Sequence, residues 1–540
     1  MTETTAESQA RAGGRNPAAK AAARSVASAV PAALVARLAK GVTASGGETA
    51  ETLAPLTGDV LATLPLSSAA DVEDAFAAAR RAQPGWAALP LRHRTGVLLR
   101  FHDLLLKRQD EVLDLIQAET GKTRLHAFEE VMAVASAARH YGRRASAYLR
   151  DRRRGGAVPG LTSAVESRRP KGVVGQISPW NYPFELSVGD ALPALVAGNA
   201  VVNKPDTQTA LTALWARELF VEAGLPAEVW QIVLGDGPVI GPEVVERADY
   251  VAFTGSTRTG RDVATRAAAR LVGASLELGG KNAMLVLADA DLDRAAEGAV
   301  RACFSSAGQL CISIERLYVH RSVAEEFLAR FAARTAALRL GGGLAYGADM
   351  GSLVSKRQLE TVTRHVEDAV KAGATVVTGG QARPDLGPLF FEPTVLDGVT
   401  PAMAVRAEET FGPVVSIYRF DTEDEAVAAA NGTPYGLNSS VWTKDTRRGR
   451  RVAARLRTGT VNVNEAYAAA YGSVASPMGG MGDSGLGRRH GAEGILRYTE
   501  AQTVAVQRLL PIGPSMGMDD QGFAAFFTTG LKLMKAFRLK

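Results

Sequence analysis

Two cysteines, Cys303 and Cys311, are all that 540 residues contain. The chain therefore has no disulfide framework and no four-ligand zinc pattern, and its thiols suit a reducing cytosol. No run of roughly 18 uninterrupted apolar residues occurs, which argues against a membrane-spanning helix. Basic residues are in slight excess, 62 Lys and Arg against 56 Asp and Glu. They are dispersed except at the N-terminus and at Arg152-Arg153-Arg154, and no nucleic-acid-binding motif accompanies them, so nucleic acid is not an expected partner. A hydrophobic fraction of 46% over this length is enough for two or three domains with full cores.

Residues 1–30, rich in Ala, Arg, Ser and Gly without an amphipathic period, read as a disordered extension. A transit peptide would suit the Arg and Ser but not Glu3 and Glu7. Ser68 and Asp71 have capping-box spacing, with helical periodicity over 72–86 and again from His93 to about Ala118, ending at Gly121. From Lys171, short apolar runs (173–177, 200–203, 229–234, 250–253) alternate with amphipathic ones such as 211–223, which predicts a parallel sheet covered by helices on both faces. After Lys281 the alternation recurs (283–287, 317–319, then a helix over 323–339), indicating a second α/β domain. The basic, Gly/Pro-containing segment 151–170 and the alternating segment 498–507 could pair at an edge and recruit another subunit. Over 522–540, Phe523, Phe526, Phe527, Leu531, Met534 and Phe537 share one helical stripe, with Lys532, Lys535 and Arg538 elsewhere. Such a helix docks on its own body or on a partner subunit, or makes a weak contact with an anionic membrane surface.

Glu277-Leu-Gly-Gly-Lys-Asn282 and Phe304-Ser-Ser-Ala-Gly-Gln-Leu-Cys311 place a carboxylate and a thiol 34 residues apart, each in a glycine-containing turn. A base and a nucleophile are what covalent oxidation or acyl transfer needs. Cys311 reads either as a small buried hydrophobe or as a thiol whose ionisation is favoured at a turn or helix start. Cys303, in an apolar helical context, reads as buried. Glu277 between Leu276 and Leu278 is expected to have a pKa raised by partial burial, or to serve in a salt bridge. No histidine lies near either residue in sequence, so a papain-type hydrolase finds no support. Two turns could take a nucleotide, Gly235-Asp-Gly-Pro-Val-Ile-Gly241 and Gly255-Ser256-Thr-Arg-Thr-Gly260. Neither matches G-x-G-x-x-G, and the second is the better because Ser256 can offer a hydroxyl and a helix N-terminus to a phosphate.

Pro179-Trp-Asn-Tyr-Pro183, Lys204-Pro205, Phe253-Thr-Gly-Ser-Thr257, Glu277-Leu-Gly-Gly-Lys281, Gly308-Gln-Leu-Cys311, Glu409-Thr-Phe-Gly-Pro413 and Ser476-Pro-Met-Gly-Gly480 stand in the order seen in the aldehyde dehydrogenase superfamily. The resemblance covers roughly residues 45–508 and is greatest to the actinobacterial NADP succinate-semialdehyde dehydrogenases, through residues 308–316 and 477–482.

The resemblance implies an α/β fold with a Rossmann-like cofactor domain (31–150 and 171–278), an α/β catalytic domain (279–494), a small β oligomerisation element (151–170 and 495–509) and an amphipathic tail (510–540). It implies a cytoplasmic homodimer or homotetramer that oxidises an aldehyde. Cys311 would attack to give a thiohemiacetal, Asn181 and the Cys311 N–H would form the oxyanion hole, hydride would pass to the nicotinamide, and Glu277 would activate the water that hydrolyses the thioester. Ser178, Trp180, Asn181, Lys204, Pro205, Asp206, Thr207, Gly235, Gly255, Ser256, Leu278, Glu409 and Phe411 would hold the cofactor. A neutral Thr207, where NAD-preferring members often carry Glu, favours NADP, with NAD possible because Asp206 restores part of the repulsion. The implied substrate is succinate semialdehyde. However, positions that carry carboxylate-clamping arginines elsewhere look like Gly189 and Ser305, and the loop 467–471 offers aromatic and small apolar surface suited to a neutral aliphatic or aromatic aldehyde. A catalytically silent homologue is the alternative of another class.

Overall fold

The computed structural model describes residues 29–159, 161–509, 511–515 and 517–538. The expected extension thus lies outside the described residues up to position 28, and Val30 is already buried in the first core.

Ser68 closes a capping box with Asp71 and starts the helix Ala69–Ala88. The single helix expected from His93 is two, Leu91–Lys107 and Gln109–Thr120. Arg108 leaves helical geometry between them (φ −112°, ψ 20°), and its guanidinium pairs with Glu111 of the second helix and with Glu222. Gly121 ends the pair at φ +73°, where a Cβ would lie 2.1 Å from the Ser352 hydroxyl. The helix Arg124–Leu149 follows, capped by Thr123 and buried along Ala127, Val131, Val134, Ala138, Tyr141 and Ala145. That spacing lays one apolar stripe against the body.

The first sheet runs Gly485–Leu486, Gly273–Glu277, Tyr250–Thr254, Val173–Ser178, Ala200–Pro205, Trp230–Ile232. All of its pairings are parallel except the first. The chain winds outward from Val173–Ser178 in one direction and then returns to continue in the other. This creates a switch point beyond the C-terminal ends of Val173–Ser178 and Tyr250–Thr254, where open α/β sheets bind ligands. A second, seven-stranded sheet has Asn282–Val286, Ile314–His320 and Val414–Phe420 among its parallel strands and an antiparallel edge at Thr375–Thr378.

Thr499–Gln507 pairs antiparallel with Thr162–Pro170 along its whole length, and Arg152–Arg154 pairs on the far side. One boundary needs correction. The segment assigned to a catalytic domain ending at residue 494 returns earlier to the first domain: Gly485–Leu486 adds a strand to its sheet, and Val474 and Ile495 lie in its core. The C-terminal helix is Asp520–Ala536, and none of its residues is buried, so it does not dock on its own body.

Candidate active site

Cys311 is presented by a turn that only a few side chains tolerate. After the helix Leu292–Phe304, Ser306, Ala307 and Gly308 all take positive φ (50°, 55° and 69°). A Cβ on Gly308 would lie 2.1 Å from the Gly412 carbonyl oxygen, so the turn is built against the Gly412-Pro413 backbone. Tyr182 and His126 hold Ser306 through its hydroxyl (2.9 Å) and its N–H (3.2 Å). Asn282 Nδ2 donates to the Cys311 and Ser313 carbonyls at 2.8 and 2.7 Å. The strand Ile314–His320 follows, so no helix begins at Cys311 and no dipole favours its thiolate. Burial, together with Glu277, Glu409 and Glu185, pushes the thiol up to about 12 against the opposing effect of Arg489. The strand that follows and the carboxylates around Cys311 thus oppose the thiolate that a helix start would favour, and a nearby base would assist it. Cys303 is buried in the preceding helix.

Glu277 ends the strand Gly273–Glu277 and lines the same cleft as Cys311. Burial raises its carboxyl to about 7, opposed by Arg489 and Arg497. Glu277 Oε1 and Arg489 Nε are both buried without a hydrogen-bond partner and lie 3.9 Å apart. The Arg489 guanidinium also meets Asp190 at 2.9 Å and Glu185 at 3.7 Å, and Arg497 meets Asp190 at 2.5 Å. The path that delivers Arg489 is glycine-dependent. Gly485 (φ +142°) would press a Cβ to 2.0 Å from the Leu276 carbonyl oxygen, and a Cβ on Gly479 would lie 3.2 Å from Glu277 Oε1. None of Arg489, Asp190, Arg497, Glu185 and Glu129 was singled out by sequence reasoning.

Asn181 follows the strand Val173–Ser178, and its Nδ2 donates to the Gln309 carbonyl at 3.1 Å. The amide has a second N–H, so Asn181 is fixed beside Cys311 with a donor to spare for an oxyanion.

Two cavities converge on Cys311, both lined by Cys311, Asn181 and Leu186. The first, about 670 Å³, lies at the switch point and is lined by Trp180, Gly255, Ser256, Glu277, Leu278, Glu409 and Phe411. Ser256 caps the helix Thr257–Ala269, leaving the helix N-terminus toward the cavity mouth. Trp180 and Phe411 meet edge to face at 5.5 Å. Phe411 is held at φ 54° while Glu315 accepts its N–H at 2.9 Å. Glu409 accepts from the Gly280 N–H at 2.8 Å, and burial raises it to about 8. Gln358, which sequence reasoning missed, donates to the Thr410 and Phe411 carbonyls. Its Ser355-x-x-Gln358 spacing signals a helix start rather than a site.

Lys204, Pro205, Asp206, Thr207 and Gly235 lie outside that lining, around the end of the strand Ala200–Pro205. The Lys204 ammonium is buried with only a 3.4 Å contact to the Pro205 carbonyl, and burial lowers its pKa. Asp206 is engaged in accepting the Gln208 N–H, and Thr207 donates to the Gly235 carbonyl at 3.3 Å. Ser178 turns inward to Ser187 and Asn203, so its side chain does not face the cleft. A buried, nearly partnerless ammonium, a helix N-terminus and two aromatic rings, three of them following or ending neighbouring strands of one sheet, suit a dinucleotide.

The second cavity, about 990 Å³ and partly open to solvent, is lined by Glu129, Tyr182, Glu185, Tyr467, Tyr471 and Arg489 among others. Tyr182 and Tyr467 donate to Glu129 at 3.3 and 3.1 Å. Gly189 and Ser305 are not in the lining, and the Ser305 hydroxyl hydrogen-bonds with the Tyr467 oxygen at 2.9 Å, as donor where Tyr467 gives its one hydrogen to Glu129.

The profile described as Aldehyde dehydrogenase family matches residues 42–504. A protein of Mycolicibacterium smegmatis, provisionally named a succinate-semialdehyde dehydrogenase [NADP(+)], is 54% identical over 462 residues, covering 86% of this chain and 89% of that one. The crystal structure titled as an E. coli NADP dependent enzyme superimposes with a TM-score of 0.83 at 34% identity, covering 86% of this chain and 96% of that one. The NAD+ complex of an aldehyde dehydrogenase from Bacillus cereus superimposes at 0.82 with 36% identity, covering 86% and 94%.

Proposed function

We propose that this chain, which belongs to the aldehyde dehydrogenase family, oxidises succinate semialdehyde to succinate with NADP. NAD(P)-dependent aldehyde oxidation follows from the family; the choice of aldehyde, of NADP and of residue roles is the proposal. The observation that carries it is the meeting of two cavities at Cys311 with Glu277 on the cofactor side. The relatives' names and the neutral Thr207 support the particular aldehyde and cofactor.

In this reading the carbonyl carbon enters from the second cavity and Glu277 helps to draw the proton from the Cys311 thiol. Asn181 Nδ2 then donates to the oxyanion of the thiohemiacetal, an interaction of a few kcal/mol per donor, roughly 3 to 4 at most. The nicotinamide cofactor supplies the hydride acceptor when bound. Trp180, Glu409 and Phe411 would frame its reactive end, and Lys204 and the helix after Ser256 its ribose and phosphates. Glu277, near 7 and so able to release the thiol proton to solvent, would then, ionised again, take a proton from the water that cleaves the Cys311 thioester.

A second reading, a neutral aliphatic or aromatic aldehyde, is favoured by the lining of the second cavity. Its arginine, Arg489, is already faced by Asp190, Glu185 and Glu277, and Glu129 adds a carboxylate held by tyrosines rather than by a cation. We also propose a cytoplasmic homodimer or homotetramer, with the exposed strand Thr499–Gln507 as an element for pairing. Initial rates with NADP and NAD, using succinate semialdehyde, an aliphatic and an aromatic aldehyde with Cys311→Ala as blank, test the proposal. Highest kcat/KM with succinate semialdehyde and NADP is the expected result, and preference for a neutral aldehyde would overturn the substrate assignment.

A further inference from the structure

The helix Asp520–Ala536 lies beyond the residues that match the family profile. It is joined to the body through an exposed segment containing Gly513 and Gly517, at neither of which would a Cβ meet any neighbouring atom. At 100° per residue, Leu533, Phe526, Phe537, Phe523, Met534, Phe527 and Leu531 fall on one face. Phe526, Leu531, Leu533 and Phe537 are 64%, 64%, 51% and 70% exposed. Seven large apolar side chains on an uncovered face need an occupant, because a contiguous exposed patch of this kind marks an interaction surface.

Charge decides which occupant. Lys535 borders the apolar face, Lys532 lies on the opposite side of the helix and Arg538 follows it; from Gln521 to Lys540 there is no Asp or Glu, the acidic residues of the helix being Asp520 and its cap Asp519 at the far end. A second copy of this helix packed parallel would bring lysines toward lysines, and one packed antiparallel would offer only Asp519 and Asp520 to Lys532, Lys535 and Arg538. An anionic lipid surface complements both features, taking the apolar face below the headgroups and the basic residues among them. A helix of 17 residues is about 25 Å long, and among the described residues no helix is long and apolar enough to cross a membrane. We propose that Asp520–Ala536 lies flat on anionic bilayers and attaches the enzyme reversibly to their surface.

The test is co-sedimentation of the full chain with vesicles of phosphatidylcholine alone and with added phosphatidylglycerol. Beside it are run Lys532→Gln with Lys535→Gln, and Phe526→Glu with Leu531→Glu. Neither pair touches the active site, so both variants should keep aldehyde turnover, which also reports that they fold. The expected result is binding confined to phosphatidylglycerol vesicles, weakened by salt, about thirtyfold weaker in the lysine variant and abolished in the apolar one. Absence of pelleting, equal binding to neutral vesicles, or a drop in oligomer size of the Phe526→Glu/Leu531→Glu variant without vesicle binding by the parent would overturn it, the last by showing that a second copy covers the helix.

Discussion

Arg489→Gln removes the guanidinium that faces Glu277 across 3.9 Å and leaves the base with the more distant Arg497 and Arg488 against Asp190. At about 4 Å, opposite charges attract by about 4 kcal/mol at an effective dielectric near 20. Asp190 and Glu185 bind the same guanidinium and offset part of this. We take about half, roughly 2 kcal/mol, or about 1.5 pH units. The sign follows from the charge removed: losing a cation disfavours the carboxylate, so the acidic limb of kcat/KM moves up from near 7 toward roughly 8.5. At pH 7.5 the ionised fraction falls from about three quarters to about one tenth, roughly an eightfold loss of rate, and the loss closes above about pH 9.5. Cys311 loses the same cation, which shifts the limb in the same direction. Initial rates from pH 6 to 10 measure this, with Arg489→Lys expected to restore most of the limb position. Removing one partner from a buried pair can cost roughly 3 to 5 kcal/mol of stability, so thermal melts must show a folded protein. An unmoved limb in folded Arg489→Gln, or a loss uniform across pH, would refute the electrostatic reasoning.

Thr207→Glu should lower the NADP-to-NAD ratio of kcat/KM by at least about tenfold; an unchanged ratio places the 2′-phosphate elsewhere. Gly308→Ala must relieve a 2.1 Å overlap with the Gly412 carbonyl at φ +69°. We expect about 2 to 3 kcal/mol of destabilisation and at least about a hundredfold loss of turnover, and retention of both Tm and activity would show that the turn is less constrained than drawn. Cys303→Ala should keep activity at a cost of about 1 kcal/mol or less in denaturant unfolding, whereas Cys311→Ala should abolish NADP reduction and acyl-enzyme detected by mass spectrometry. Glu129→Gln should raise kcat/KM for succinate semialdehyde about tenfold relative to a neutral aldehyde of similar length, since it removes a carboxylate from the cavity; equal effects on both would mean that Glu129 does not face the substrate.

What the sequence made legible was local. Ser68 with Asp71 named a helix start because a capping box is complete within four residues. The strands ending at Ser178, Pro205 and Thr254 were legible because buried parallel strands are short apolar runs. Cys311 and Glu277 stood out because each has glycine close by in sequence, Gly308 before the one and Gly279-Gly280 after the other. The break in the helical period at Arg108 coincides with an ion pair to Glu222, 114 residues away, which no local pattern encodes. Which of the two readings of Cys311 the fold favours was not legible for a related reason: a turn written in sequence does not say whether a helix or a strand follows it in space.

Arg489 is the sharper case. Its bond to Asp190 spans 299 residues, and between Arg488 and His490 it reads as one more solvated charge. The signal lay in its neighbours, since Gly479, Gly482, Gly485 and Gly487 all adopt positive φ, and so many constrained glycines describe a path with one allowed course rather than a loose loop. A strand pair of two residues, Gly485–Leu486 on Leu276–Glu277, fixes that course at the base itself. The arginine is thus set by the same backbone contact that positions Glu277, and a change in either should be felt by the other even though almost the whole second domain separates them in the chain.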